Sequence, residues 1–191
     1  MYYSDSELVS IGFKKIGRDV QISNKTSIYN PHLIEIGNNV RIDDFTILSP
    51  GKELIIGSHV HISCFCFLVG REVIELKDFS GISSRVHIFS SSDSYSGNYL
   101  TNPTIPEEFK KIISKPVILK EHCIVGTNST ILPGVTLGKG ASVDAHSLVI
   151  SDCKPFCRYG GVPAIYRKDR FKKLIELEAK FLQSKNLNSL N

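Results

Sequence analysis

One period governs this chain. Ile16, Ile22 and Ile28 are six residues apart, and so are Ile36, Ile42 and Leu48, then Ile56, Ile62 and Leu68, then Leu76, Ile82 and Ile88. After a break the series resumes as Leu119, Val125, Ile131, Leu137, Val143 and Val149, so all eighteen positions hold Ile, Leu or Val. Four residues after many of them stands a small or β-branched residue, as at Val20, Thr26, Val40, Thr46, Cys66, Val86, Ser129 and Ala141. Glycine follows directly at Gly17, Gly37, Gly57, Gly126 and Gly138. A period of six fits neither an amphipathic helix nor a flat strand. It fits a short strand and a turn, repeated so that three units close one triangular coil, with the large residue inside and the small one near the corner. Such a coil covers its core only by stacking on its neighbours. A β-sandwich of short strands is the competing architecture, but nothing in a sandwich holds one phase for so long. The expected fold class is therefore an all-β solenoid.

The first four triplets start at 16, 36, 56 and 76, so two extra residues recur at one corner. The repeat stops after Ile88 and resumes in phase, which makes residues 89–116 a long loop extruded from a corner of the prism. Long loops within a compact domain are uncommon and often carry function. Residues 1–15 read as an N-terminal cap segment, with Ser4 or Asp5 ahead of Glu7 allowing a short capped helix. Residues 16–165 form the repeat domain. Residues 166–191 read as a C-terminal tail with an amphipathic α-helix, since Phe171, Leu174, Ile175, Leu177, Phe181 and Leu182 fall at helical spacing. The last residues, 184–191, are expected to fray.

Composition agrees and excludes several classes. The chain holds 23 Ile and 13 Val but 4 Ala and one Met, a bias toward strand. Its 191 residues suit one domain, large enough to bury a core without staples. A net charge of +4 is too mild for a nucleic-acid binder. Seven Lys and Arg against two Asp nevertheless gather in residues 151–175. No apolar window is long enough for a membrane span, and residues 1–16 make no signal peptide, so a cytoplasmic protein is expected. Cys64, Cys66, Cys123, Cys153 and Cys157 fit no zinc-finger spacing and are expected to be free thiols.

The hexads, the mid-chain loop, the run VGTNSTILPGVTLGKGASVDAHSLV and the turn GGVPAIYRK resemble the hexapeptide-repeat acyltransferases. The likeness is greatest to galactoside/maltose O-acetyltransferase-like enzymes of lipopolysaccharide and capsule biosynthesis, and it covers about residues 10–180. The resemblance implies a left-handed parallel β-helix, usually a homotrimer, with acetyl-CoA as co-substrate between neighbouring prisms and no metal. It implies a catalytic histidine in the loop, five residues past the last repeat position, but there this chain has Asp93. It implies a thioester-facing backbone amide at Thr127, after Gly126. It places the adenine-and-phosphate end at Ala145, Gly161, Val162 and Pro163, with Arg158, Arg167 and Lys168 behind them.

Acyl transfer from a thioester to a sugar needs a base, donors for the oxyanion and alignment. A positioned base supplies roughly 10²–10⁴ in rate and an oxyanion donor roughly 10²–10³. Asp93, His87 and His61 are the candidates for the base. Asp93 could equally orient an imidazole, or simply cap loop amides. His87 and His61 both point outward in strand geometry, while His122 and His146 lie nearer the expected cofactor groove. Ser63, Arg71, Tyr95 and Asn98 are candidate acceptor contacts. A zinc enzyme of the same fold would need a third histidine beside His87 and His122, and Thr127 stands in its place. The leading expectation is O-acetylation of a sugar in surface-polysaccharide synthesis. N-acetylation of a nucleotide-linked amino sugar, whose amine needs less help from a base, remains open, and so does a non-catalytic repeat scaffold.

Overall fold

The computed structural model describes residues 1–188. The chain winds into a left-handed parallel β-helix of about seven coils. Three parallel sheets form the walls of its triangular prism. Face A carries strands such as Ile34–Ile36, Leu54–Ile56, Ile74–Leu76 and Val117–Leu119. Face B carries Gln21–Ile22, Arg41–Ile42, His61–Ile62, Gly81–Ile82, Ile124–Val125, Ser142–Val143 and Cys157–Gly160. Face C carries Ile47–Pro50, Phe67–Gly70, His87–Phe89 and Thr130–Ile131.

The repeat positions fill the prism. All eighteen turn inward, and sixteen are buried; Ile16 and Ile28, in the first coil, are only partly covered because one side of that coil has no neighbour. Helix α1 (Asp5–Ile11) closes that end. Ser4 Oγ accepts from the Glu7 backbone N–H, Glu7 accepts from the Ser4 backbone N–H, and Leu8 packs into the core. The periodicity misses a second inward position, two residues before the first slot of a coil. Ile34, Leu54, Ile74 and Val117 are all buried there, because the two extra residues at the C–A corner lengthen the strands of face A to three residues.

The A–B corners turn through Asp19, Asn39, His59, Phe79, His122, Gly140 and Phe156, and the B–C corners after the first coil through Phe45, Phe65, Arg85, Asn128 and His146, all at positive φ. Successive coils bring them into columns, with Phe79 stacked between His59 (4.7 Å) and His122 (5.2 Å). Helix α2 (Lys173–Asn188) lies over this column. His122 Nε2–H donates to Glu178 Oε2 at 2.8 Å, and Phe181 meets the His59 ring edge-on. Residues 165–169, assigned from sequence to the end of the repeat and the start of the tail, instead form a strand that pairs antiparallel with Cys157–Gly160 and extends face B. The fraying expected over 184–191 falls partly on residues 189–191, outside the described residues; Lys173–Asn188 is helical. All five cysteines are free. Among the described residues no helix is long and apolar enough to cross a membrane.

The extruded segment leaves the C–A corner. Its base is a two-stranded antiparallel hairpin, Ser91–Asp93 with Ile112–Ser114. Arg71, one coil below, clamps the loop through two hydrogen bonds to Glu107 at 2.9 and 3.2 Å.

Candidate active site

On face B a notch of about 350 Å³ opens, lined by His61, Ser63, Gly81, Ser83, Ser84, Ile124 and Thr127. The parallel register builds it. Arg41, His61, Gly81, Ile124, Ser142 and Arg158 occupy one column of outward positions on successive coils, with strands about 4.8 Å apart.

His61 is held from the coil below. Its Nε2–H donates to Asp43 Oδ2 at 2.8 Å, while Arg41 Nε–H donates to Asp43 Oδ1 at 2.7 Å. With the proton on Nε2, the carboxylate fixes the tautomer and leaves Nδ1 as the acceptor. Partial burial pushes the Asp43 carboxyl up, but the hydrogen bonds from His61 and Arg41 outweigh it and hold its pKa below the ordinary carboxylate value. Asp43 was not among the residues selected from sequence. Its signal was the 20-residue coil, which sets Asp43 in the same column as Ser63.

Beside the imidazole, Ser63 and Ser84 share a hydrogen bond of 2.9 Å. Thr127 Oγ1–H donates to the Ser84 carbonyl at 2.6 Å. Among the described residues no acceptor takes the Thr127 backbone N–H, nor that of Ser84 one coil below, so both are available to an incoming oxygen. Gly126 is obligatory for this corner, since a Cβ there would stand 2.4 Å from the Ala145 backbone nitrogen.

The other candidates divide into separate groups. Arg158 and Lys168 meet at a second cavity of about 420 Å³ on the same face, with Ser142, Asp169, Arg170 and Phe171. Arg158 is engaged there by Asp144 at 2.6 Å, and Arg170 donates to the Gly140 carbonyl. Arg170 was counted in the basic run but not selected from sequence. Arg167 lies on the opposite side of its strand, with its guanidinium near Gly161. Ala145 is exposed above Thr127 at the B–C corner, and Val162 and Pro163 form an exposed turn.

Asp93 stands at the outer end of the hairpin, paired with Ile112. Its Oδ2 accepts from the Asn102 backbone N–H at 3.1 Å, and its Oδ1 meets no donor among the described residues. Half of this carboxylate is thus a loop cap and half is free. His87 sits on face C with its ring edge-on to Phe67 at 4.8 Å, so His61, His87 and Asp93 are not brought together within one chain. Arg71 is spent on Glu107, while Tyr95 and Asn98 are exposed on the loop. His87 lies on face C and His122 at the A–B corner, and among the described residues no three metal-ligating side chains converge.

No family model matches the chain. It is 43% identical over 184 residues, 96% of each chain, to a dTDP-4-amino-4,6-dideoxy-D-glucose acyltransferase of Escherichia coli. It is 47% identical to AntD, an N-acyltransferase from Bacillus cereus solved with dTDP and 3-hydroxybutyryl-CoA, with a TM-score of 0.94 over 97% of this chain and 98% of that one. Other AntD structures hold dTDP-4-amino-4,6-dideoxyglucose and coenzyme A and carry a replaced serine, and others carry a replaced aspartate. A maltose O-acetyltransferase from Clostridium difficile 630 shares the fold alone, at 16% identity and a TM-score of 0.56 over 87% of this chain and 75% of that one.

Proposed function

The chain belongs to the hexapeptide-repeat acyltransferases, and from that membership we propose that it moves an acyl group from an acyl-CoA thioester to the amino group of a nucleotide-linked 4-amino sugar. The observation that carries this reading is the full-length similarity, at 43% and 47% identity, to two proteins named for N-acylation or for that acceptor. The leading expectation from sequence, O-acetylation, gives way, because the O-acetyltransferase neighbour is far more distant.

The geometry supports a division of labour along face B. The basic cavity around Arg158, Lys168 and Arg170 suits CoA phosphates. Gly81 and Arg158 are three strand spacings apart, about 14 Å, a stretch for the extended pantetheine arm to follow from that cavity to the notch. At the notch the neutral amine attacks the thioester carbonyl. The backbone N–H of Thr127 donates to the oxyanion that forms, the C–S bond breaks, and the thiolate leaves. The nitrogen gives its surplus proton to a base. His61 Nδ1 is one candidate, and the free Oδ1 of Asp93, brought by the loop of a neighbouring copy, is the other. That second assignment entails the homotrimer usual in the family, since within one chain Asp93 stands away from the notch. Aspartate in place of the loop histidine suits an amine, which needs less activation than a hydroxyl.

The test is CoA release and product mass with acetyl-CoA and 3-hydroxybutyryl-CoA against two acceptors, dTDP-4-amino-4,6-dideoxyglucose and the corresponding 4-hydroxy sugar. An N-acylated product from the amine alone is expected. A product from the hydroxyl sugar alone would overturn the reading in favour of O-acylation, and no transfer or CoA binding at all would leave a scaffold.

A further inference from the structure

Gly81 is the one bare position in the outward column of face B, between His61 and Ile124. All five glycines that follow a repeat slot are demanded by packing between coils. A Cβ on Gly17, Gly37, Gly57, Gly126 or Gly138 would stand 2.4 to 2.7 Å from the next coil. Gly81, which precedes its slot, is different. A Cβ there would meet nothing nearer than the His61 carbonyl oxygen at 3.8 Å, and its φ is not in the left-handed region. The fold therefore needs no glycine at this place, and glycine within a strand costs stability. What its bareness provides is the notch itself. His61 and Ile124 flank it two strand spacings apart, about 9.6 Å, which admits one saturated ring with its substituents. The lining is chemically divided between the hydroxyls of Ser63, Ser83, Ser84 and Thr127 with the imidazole of His61, and the apolar side chain of Ile124. A deoxy sugar has the same division between hydroxyl edge and apolar face.

We propose that Gly81 is a specificity-determining residue, kept bare so that the sugar ring of the acceptor can lie on the backbone of this strand with its apolar face against Ile124. The inference rests on the acyltransfer reading above and assigns the notch to the acceptor rather than to the acyl chain.

The experiment compares the unaltered protein with Gly81→Ala and Gly81→Val. Both variants should keep or raise Tm, because the added carbons enter open space on a strand. Gly81→Val should raise acceptor KM by about tenfold or more, the scale of one or two misplaced methyl groups in a fitted pocket, with Gly81→Ala intermediate and KM for acyl-CoA unchanged. Unchanged acceptor KM in Gly81→Val would overturn the proposal, and so would a rise confined to KM for the longer acyl-CoA. Failure of the unaltered protein to acylate any amino sugar would instead overturn the proposed function. Calorimetric binding of dTDP-4-amino-4,6-dideoxyglucose then decides the notch: binding lost only in Gly81→Val upholds it, and equal binding, or none by any form, overturns it.

Discussion

The imidazole of His61 is tied at Nε2 to Asp43 Oδ2 at 2.8 Å, across the boundary between two coils. That contact sets which nitrogen faces the notch, and it couples one coil's catalytic candidate to the carboxylate of the coil below. Asp43→Asn keeps the shape but not the charge. We expect turnover to fall by roughly tenfold or more, within the range assigned to a positioned base, with KM for acyl-CoA unchanged. The acid melt supplies an independent readout. The Asp43 pKa is lowered on folding, so its stabilisation is complete above the unfolded carboxylate value of about 3.9 and is lost as pH falls through the lower folded value. The Tm gap between the parent and Asp43→Asn should narrow below about pH 4.

Asp93 offers one free carboxylate oxygen and one that caps Asn102. Asp93→Asn preserves an acceptor for the Asn102 amide and removes the base. Turnover should drop by about 10² or more, with CoA affinity within twofold of the parent. If turnover is unchanged, Asp93 acts only as a loop cap and His61 alone takes the proton.

The loop is clamped by Arg71 on Glu107. The Arg71 guanidinium, with help from Lys110, lowers the Glu107 pKa to about 2. The clamp is therefore intact above the ordinary glutamate value of about 4.3 and is released only as pH falls through about 2. Because the pair is exposed, Glu107→Gln should leave Tm nearly unchanged. It should, however, raise amide hydrogen exchange across 94–111 and raise acceptor KM, which locates the effect in loop placement.

The prism was legible because its physics is one-dimensional. A buried β-branched or leucine side chain every six residues is the only economical way to fill a triangular coil, and Ile42, Ile62, Ile82 and Val125 announce it without reference to any partner. The site was legible only in part. Thr127 and Ser63 came into view through the family resemblance, not through the repeat period. Asp43 and Ser84 were missed because their roles arise from contacts between coils, His61 with Asp43 and Ser63 with Ser84, which depend on exact stacking register. The strand at Ile165–Asp169 was missed for a related reason. It pairs antiparallel with a bulge at Arg158 and Tyr159, and so carries no trace of the hexad period.

Two glycines one coil apart on face B make opposite predictions. At Gly126 a Cβ would stand 2.4 Å from the Ala145 nitrogen and 2.8 Å from the Asp144 carbonyl carbon, and these are backbone atoms of the next coil that cannot turn aside as a side chain would. Gly126→Ala must separate the two coils locally, an overpacking cost of about 1–3 kcal/mol. In a chain of this length each kcal/mol lowers Tm by about 2–4 °C. The same separation displaces the Thr127 N–H, so turnover should fall along with Tm. Gly81→Ala, entering open space, should leave Tm unchanged or slightly higher. Scanning calorimetry on the two variants side by side checks both statements. Equal melting would mean that the coils tolerate a methyl group at Gly126 and that the spacing between coils does not fix the Thr127 amide.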